Sequence, residues 1–153
     1  MEHTPLIEIT NLTKRYPKQT VLENASLTID KGELICITGR SGSGKSTLLH
    51  LISGLDREYE GSIRLFGLDL ARLAEKKLSR LRNESIGFVF QSFHLLDHLS
   101  CRENVLLPYV FSDSSLTKSQ AEARADEVLT QLGLFDHRLK RPIELSGGQR
   151  QRV

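Results

Sequence analysis

The sequence predicts an α/β fold with a mixed or antiparallel β flank and a mainly helical segment. Three observations carry that expectation. Apolar residues alternate near the start, with Leu6, Ile7, Ile9 and Leu12 spaced as on a strand. The apolar run Leu34-Ile35-Cys36-Ile37 passes directly into GRSGSGKST at residues 39–47, which reads as a strand, a turn and a helix start. Residues 117–132 carry apolar side chains at helical spacing between clear start and stop signals. Strands first, then strands and helices in alternation, place an antiparallel flank beside an α/β core.

Each element follows from local pattern. Residues 6–12 form the first strand and Ala25 to Ile29 a second. The turn Asp30-Lys31-Gly32 then leads into a buried strand from Glu33 to Thr38. A helix runs from Lys45 to Ile52 and ends near Ser53-Gly54, where glycine suits a C-cap. Ser62 to Phe66 is a short strand between Gly61 and Gly67. Leu73 to Arg82 is a charged helix with Leu73, Leu78 and Leu81 on one side. Ile86 to Phe90 reads as a buried strand because nothing polar interrupts it. From Arg102 to Ile143 the chain is mainly helical, and its clearest helix spans Thr117 to Leu132. There Thr117 and Gln120 form a capping box, Ala121, Ala125, Val128, Leu129 and Leu132 form the stripe, and Gly133 stands just past the end. The only linker-like stretch is Ser112-Asp113-Ser114-Ser115, and there are no repeats.

Composition narrows the function. Lys+Arg 21 against Asp+Glu 19 leaves a net charge of +2, too balanced to argue for a nucleic-acid partner. No apolar run approaches the ~18 residues needed to span a bilayer, and no signal-peptide pattern opens the chain. Cys36, inside the expected buried strand, and Cys101, in an expected loop, make no disulfide framework; a reducing, cytoplasmic compartment follows. His3, His50, His94, His98 and His137 read as surface or packing residues, with no metal cluster among them.

Residues 39–47 match the phosphate-binding pattern G-x-x-x-x-G-K-[ST] in its required strand–turn–helix context. Gly39, Gly42 and Gly44 let the backbone wrap an anion. Amides from Gly42 to Thr47, with Ser41 and Ser43 in the same loop, then line the site at the positive end of a helix. Lys45 supplies charge to the β- and γ-phosphates, and Ser46 is placed to ligate Mg²⁺. An ordinary glycine-serine loop at a strand–helix junction is the alternative. The motif alone leaves kinases, GTPases and many ATPases open.

Leu145-Ser146-Gly147-Gly148-Gln149, followed by Arg150-Gln151-Arg152-Val153, decides among these. Ser146 can cap a new helix, and two glycines let amides approach a phosphate. With the phosphate loop upstream, this stretch resembles the signature motif of the ABC (ATP-binding cassette) ATPases, in one of its commonest forms. The resemblance spans nearly the whole chain, from Ile7 to Val153. It implies an ABC-type nucleotide-binding domain on a P-loop NTPase fold: core and antiparallel flank in residues 1–92, a helical subdomain in 93–145, and the signature in 145–153. It also implies that Tyr16, in Lys14-Arg15-Tyr16-Pro17, stacks on adenine, and that Gln91, closing the strand Ile86 to Phe90, contacts Mg²⁺ and the attacking water. Lys45 and Gln91 are then the catalytic side chains within this chain, with Ser46 and Gln91 as metal ligands. Ser146, Gly147, Gly148 and Gln149 serve the ATP of a second cassette. The segment Phe93-His94-Leu95-Leu96-Asp97-His98-Leu99 implies contact with a permease, and packing within a core turn is the alternative.

Ile86-Gly87-Phe88-Val89-Phe90-Gln91, His94-Leu95-Leu96, Arg102-Glu103-Asn104-Val105 and Leu107-Pro108 are similar to the lipoprotein-releasing, macrolide-export and cell-division ATPases. Peptide-antibiotic exporters look similar too. The implied function is the ATP-driven subunit of an export or extraction transporter. It would use ATP and Mg²⁺, pair with a second nucleotide-binding domain, and lie on the inner face of the plasma membrane through a permease. A soluble relative working on DNA or ribosomes, or a nucleotide-binding remnant, are the competing readings. The family continues past its signature into an acidic strand end, a catalytic glutamate and a switch histidine, and no residue up to Val153 matches them. The sequence is therefore expected to be C-terminally incomplete, equipped to recognise ATP but not to hydrolyse it.

Overall fold

A computed structural model describes residues 4–112 and 115–153. His3 and the middle of the linker-like stretch, Asp113 and Ser114, lie outside the described residues. The chain forms two compact units, Met1–Arg82 and Asn83–Val153.

The first unit is built on a four-stranded antiparallel sheet. Its strands are β1 (Ile7–Tyr16), β2 (Gln19–Ile29), β3 (Glu60–Leu65) and the short β4 (Leu68–Asp69), in the order β2-β1-β3-β4. β1 and β2 make a hairpin, with Ile7 opposite Ile29 and Tyr16 opposite Gln19. The ladder is irregular around Asn11, which takes φ 49° and donates its amide to Ser26 Oγ at 3.0 Å. That bulge breaks the strict alternation: Leu12, Thr13 and Lys14 are all buried. Helix α1 (Lys45–Ile52) follows the phosphate-binding loop. It ends at Ser53, where Gly54 takes φ 69° and donates to Leu51 O. Helix α2 (Glu75–Ser85) starts later than the expected Leu73; it contributes the fully buried Leu78 and the half-buried Leu81, while Leu73 is half-buried just before it. Ile9, Leu12, Leu51, Ile63, Leu65, Leu70 and Leu78 make the core.

Two expected strands do not form. Residues 33–38 and 86–90 carry no ladder, and Leu34 and Val89 are almost fully exposed. Both runs read as interior strands of a parallel sheet, which need a hydrogen-bonded neighbour on each edge and cover on each face. No described strand offers either run a ladder. Cys36 is accordingly exposed rather than buried. The opposite correction applies to Cys101, which is not in a loop but buried at the start of a helix.

The second unit packs α3 (Cys101–Val110) against α4 (Lys118–Gln131), and α5 (Gly147–Arg152) closes it. Capping boxes start all three: Ser100 with Glu103, Thr117 with Gln120, and Ser146 with Gln149. The α4 stripe is as the spacing predicts at Ala121, Ala125 and Leu129, which are buried; Leu132 at the helix end is 40% exposed. Cys101, Leu129, Leu134 and Leu145 form the core cluster, with Val105 and Val153 packed on it. Two first-turn amides of α3, from Cys101 and Arg102, donate to Lys140 O and Arg138 O at 2.8 Å. Asn104 is buried because its carboxamide bonds Leu96, Leu99 and Ser100, tying down the preceding segment.

Candidate nucleotide-binding site

The loop from Gly39 to Gly44 is held at its far end by the hairpin. Gly44 precedes the first residue of α1 and takes φ 91°, a conformation costly for any residue with a Cβ. Its position is also cramped. A Cβ there would lie 2.7 Å from Val21 Cγ1, 3.0 Å from Val21 O and 3.3 Å from Leu22 Cδ2. The loop therefore sits directly on β2. Leu22 pairs with Lys14 across the hairpin, and Tyr16 lies two residues further along β1. Both the glycine loop and the aromatic residue are thus positioned by one end of one hairpin, about 7 Å of strand apart.

The loop itself is ordered for anions. Gly39 and Gly42 take φ 153° and 77°, and Ser43 N donates to Arg40 O at 3.2 Å. Because α1 begins at Lys45, the amides of Lys45, Ser46 and Thr47 have no intrahelical acceptor; the first helical bond runs from Leu48 N to Gly44 O at 2.8 Å. No acidic side chain stands in the first turn to occupy them. Lys45 Nζ donates to Gly39 O (2.9 Å) and Arg40 O (2.8 Å), which keeps its cation against the loop. Free amides at a positive helix end, a cation and the exposed hydroxyls of Ser41, Ser43 and Ser46 make a donor set that fits a polyphosphate. The Ser46 hydroxyl is a hard oxygen of the kind Mg²⁺ takes alongside phosphate oxygens. Among the described residues no group of three or more His, Cys, Asp or Glu could hold a metal ion.

Tyr16 is 43% exposed at the end of β1. Below it lies Lys14, which sequence reading passed over. It is only 2% exposed, yet carries a charge. Its Nζ reaches Asp56 Oδ2 at 2.8 Å and Glu58 O at 2.7 Å, and stands 4.9 Å from the centre of the Tyr16 ring. Burial by itself would raise the Asp56 pKa. The Lys14 hydrogen bond, the Glu58 amide and nearby positive charge nevertheless hold it below the ordinary carboxylate range. The signal available in the sequence was the i, i+2 spacing of Lys14 and Tyr16, which puts both on one face of a strand.

The remaining predicted residues belong to the second unit. Gln91 is exposed on a non-strand segment, so it does not close a strand as expected. Phe88 and Phe90 stack at 5.4 Å, His94 meets Phe90 edge-on at 4.7 Å, and Arg150 lies 5.0 Å from the Phe93 ring. Phe88, Phe90, Phe93, Leu95 and Arg150 line a groove of about 250 Å³. Ser146 caps α5 as its residue type predicts: Gln149 N donates to Ser146 Oγ (3.3 Å) and Ser146 N to Gln149 Oε1 (2.8 Å). Gly147 has open space where a side chain would be. The buried Leu145 anchors this turn to the α3–α4 core.

The profile of the ABC transporter family matches residues 22–153. Over 153 residues, 97% of this chain, the sequence is 45% identical to the macrolide export ATP-binding/permease protein MacB of Burkholderia thailandensis, of which it spans 23%. It is 41% identical to the bacitracin export ATP-binding protein BceA of Halalkalibacterium halodurans, covering 97% of this chain and 59% of that protein. Among solved structures, the dimeric bacterial ABC transporter cassette MJ0796 superposes with a TM-score of 0.86 at 38% identity. Its post-hydrolysis dimer with ADP and Pi gives 0.85 at 36%; each covers 95% of this chain and 66% of the other.

Proposed function

From the premise that this chain belongs to the ABC transporter family, as an ATP-binding domain on the P-loop NTPase fold, we propose that it binds ATP with Mg²⁺ for an export system. The observation that supports this best is the shared hairpin. A phosphate-shaped loop and an exposed aromatic ring sit at one end of the same β1–β2 pair, so a nucleotide can use both at once. In this reading Gly39 to Thr47 hold the triphosphate, Lys45 neutralises its terminal charge, and Tyr16 stacks on adenine through its ring face. Ser46 and Gln91 would hold Mg²⁺, which when bound offsets phosphate charge.

The division of labour follows residues 1–92 for nucleotide binding and flank, 93–145 for the helical subdomain, and 145–153 for the signature. Ser146, Gly147, Gly148 and Gln149 are offered to the nucleotide of a second cassette, consistent with the dimeric relative. The exposed segment from Phe93 to Leu99 is offered to a membrane permease, which would hold the domain at the inner face of the plasma membrane. No described helix is long and apolar enough to cross a membrane itself.

Titration calorimetry with Mg·ATP and Mg·GTP tests the reading. Tyr16→Ala is expected to weaken both nucleotides, with Tyr16→Phe nearly neutral, because the ring face does the binding. A Phe variant as damaged as Ala would sink the stacking role. Phosphate release separates binding from turnover. Residues 1–153 carry no acidic group matched to the family's water-polarising glutamate, so binding without release is expected. Turnover that Lys45→Ala abolishes would overturn that assignment.

A further inference from the structure

A fully buried lysine is an unusual choice beneath an exposed aromatic ring. Removing an ammonium from water carries a large penalty, and a buried ion pair returns little net stability over an apolar residue of similar volume. Lys14 could therefore be a leucine or methionine as far as the core is concerned. Instead its ammonium is tightly committed. Asp56 takes one side with both oxygens, at 3.0 and 2.8 Å, and Glu58 O accepts at 2.7 Å. The Tyr16 ring centre stands 4.9 Å from the same nitrogen. Asp56 is itself fixed by accepting the Glu58 amide at 2.9 Å. The cation is thus tethered from the segment after α1, and the ring rests against it.

We infer that Lys14 is a positioning residue for the nucleotide base: tethered by Asp56 and Glu58, its ammonium fixes the Tyr16 ring and polarises it for an electron-rich purine. A cation against an aromatic ring draws π density towards itself. The exposed part of the ring then becomes a better platform for a purine, and its orientation is set before the base arrives. The inference rests on the reading that Tyr16 stacks on adenine, and it adds a second residue, with its acidic tether, to that subsite.

The test compares Mg·ATP with Mg·tripolyphosphate, which has the phosphates but no base, on the 153-residue chain. Lys14→Met/Asp56→Asn removes both charges together, so no unpaired ion is left buried. This variant is expected to bind ATP about threefold to tenfold more weakly while tripolyphosphate stays within about twofold. Lys14→Gln, which keeps a donor for Asp56, serves if the double variant does not fold, with the same expectation. A spectroscopic arm uses the absence of tryptophan from the chain. Tyr16→Trp creates a single reporter whose emission ATP should quench, with less quenching once Lys14 is neutralised. Equal weakening of ATP and tripolyphosphate would make Lys14 a structural residue only and overturn the inference, as would no weakening of either. Tyr16→Ala keeps the two readings apart. If it leaves ATP binding unchanged, base stacking itself is wrong; if it weakens ATP while the Lys14 variants do not, only the positioning role fails.

Discussion

Gly44→Ala is the sharpest probe of the contact between the phosphate loop and the hairpin. Two separate costs apply. An alanine at φ 91° carries about 1–2 kcal/mol of backbone strain. Its methyl would also lie 2.7 Å from Val21 Cγ1 and 3.0 Å from Val21 O, an overpacking worth about 1–3 kcal/mol. The sum, about 2–5 kcal/mol, is below most of the ~5–15 kcal/mol of a typical domain, so the variant should still fold. Gly42→Ala is the control. It has a similar φ of 77° but nothing within 4 Å of the added methyl, so only the strain applies.

Val21→Ala removes the Cγ1 atom but not the carbonyl, and so relieves part of the crowding. The double variant Gly44→Ala/Val21→Ala should be more stable than the sum of the single changes by about 1 kcal/mol. Urea unfolding followed by circular dichroism, on the parent and the four variants, measures each term. Additivity within ~0.5 kcal/mol, or equal costs for Gly44→Ala and Gly42→Ala, would show that the loop does not rest on β2. The phosphate loop and Tyr16 would then not share one support.

Three further outcomes follow from the same geometry. Lys45→Ala should weaken Mg·ATP at least tenfold, since a charge-assisted contact of roughly 1.5–3 kcal/mol is lost; equal affinities by calorimetry would rule out the loop assignment. The depressed Asp56 pKa makes its bond to Lys14 a pH-dependent contribution, present above pH ~4 and lost as pH falls through the folded value. The gap in melting temperature between parent and Asp56→Asn should therefore narrow on acidification, and a gap unchanged from pH 7 to 3 would contradict this. Cys36, exposed, should react with a thiol reagent in the folded chain. Cys101, buried and with its thiol pKa pushed up by burial, should react only on unfolding; simultaneous labelling would show that the α3–α4 core is open.

Much of this architecture was legible because it is local. The helix from Lys45 to Ile52 is bounded by Gly44 on one side and Ser53-Gly54 on the other, and the Thr117 capping box set the start of α4. Ser146 likewise announced α5. What failed was non-local. Leu34 to Ile37 and Ile86 to Phe90 have strand composition, but a strand exists only with a ladder partner, and composition cannot say whether one is present. Lys14 escaped for a similar reason. A strand lysine is ordinarily solvent-facing, and the bulge at Asn11 that turns this one inward depends on its match to β2. Cys101 opens a helix because Ser100 and Glu103 form the S-x-x-E pattern of a helix start, a signal present in the sequence itself.

The repeated capping box also bears on the order in which the chain acquires its structure. In the second unit the starts of α3, α4 and α5 are each fixed by a reciprocal pair three residues apart. Such pairs can close on the timescale of helix formation, about a microsecond or less, although the first turn of α3 also needs Arg138 and Lys140 to accept from its amides. In the first unit the β1–β2 hairpin is local but the β1–β3 pairing is not. β1 must find β3, with Ile7 opposite Leu65, across the whole hairpin, loop and α1. Pairings of that separation carry the loop-closure entropy that slows β-rich folding. The turn at Ser146 can therefore start locally, and the phosphate loop can settle against Val21 and Leu22 once the β1–β2 hairpin is paired.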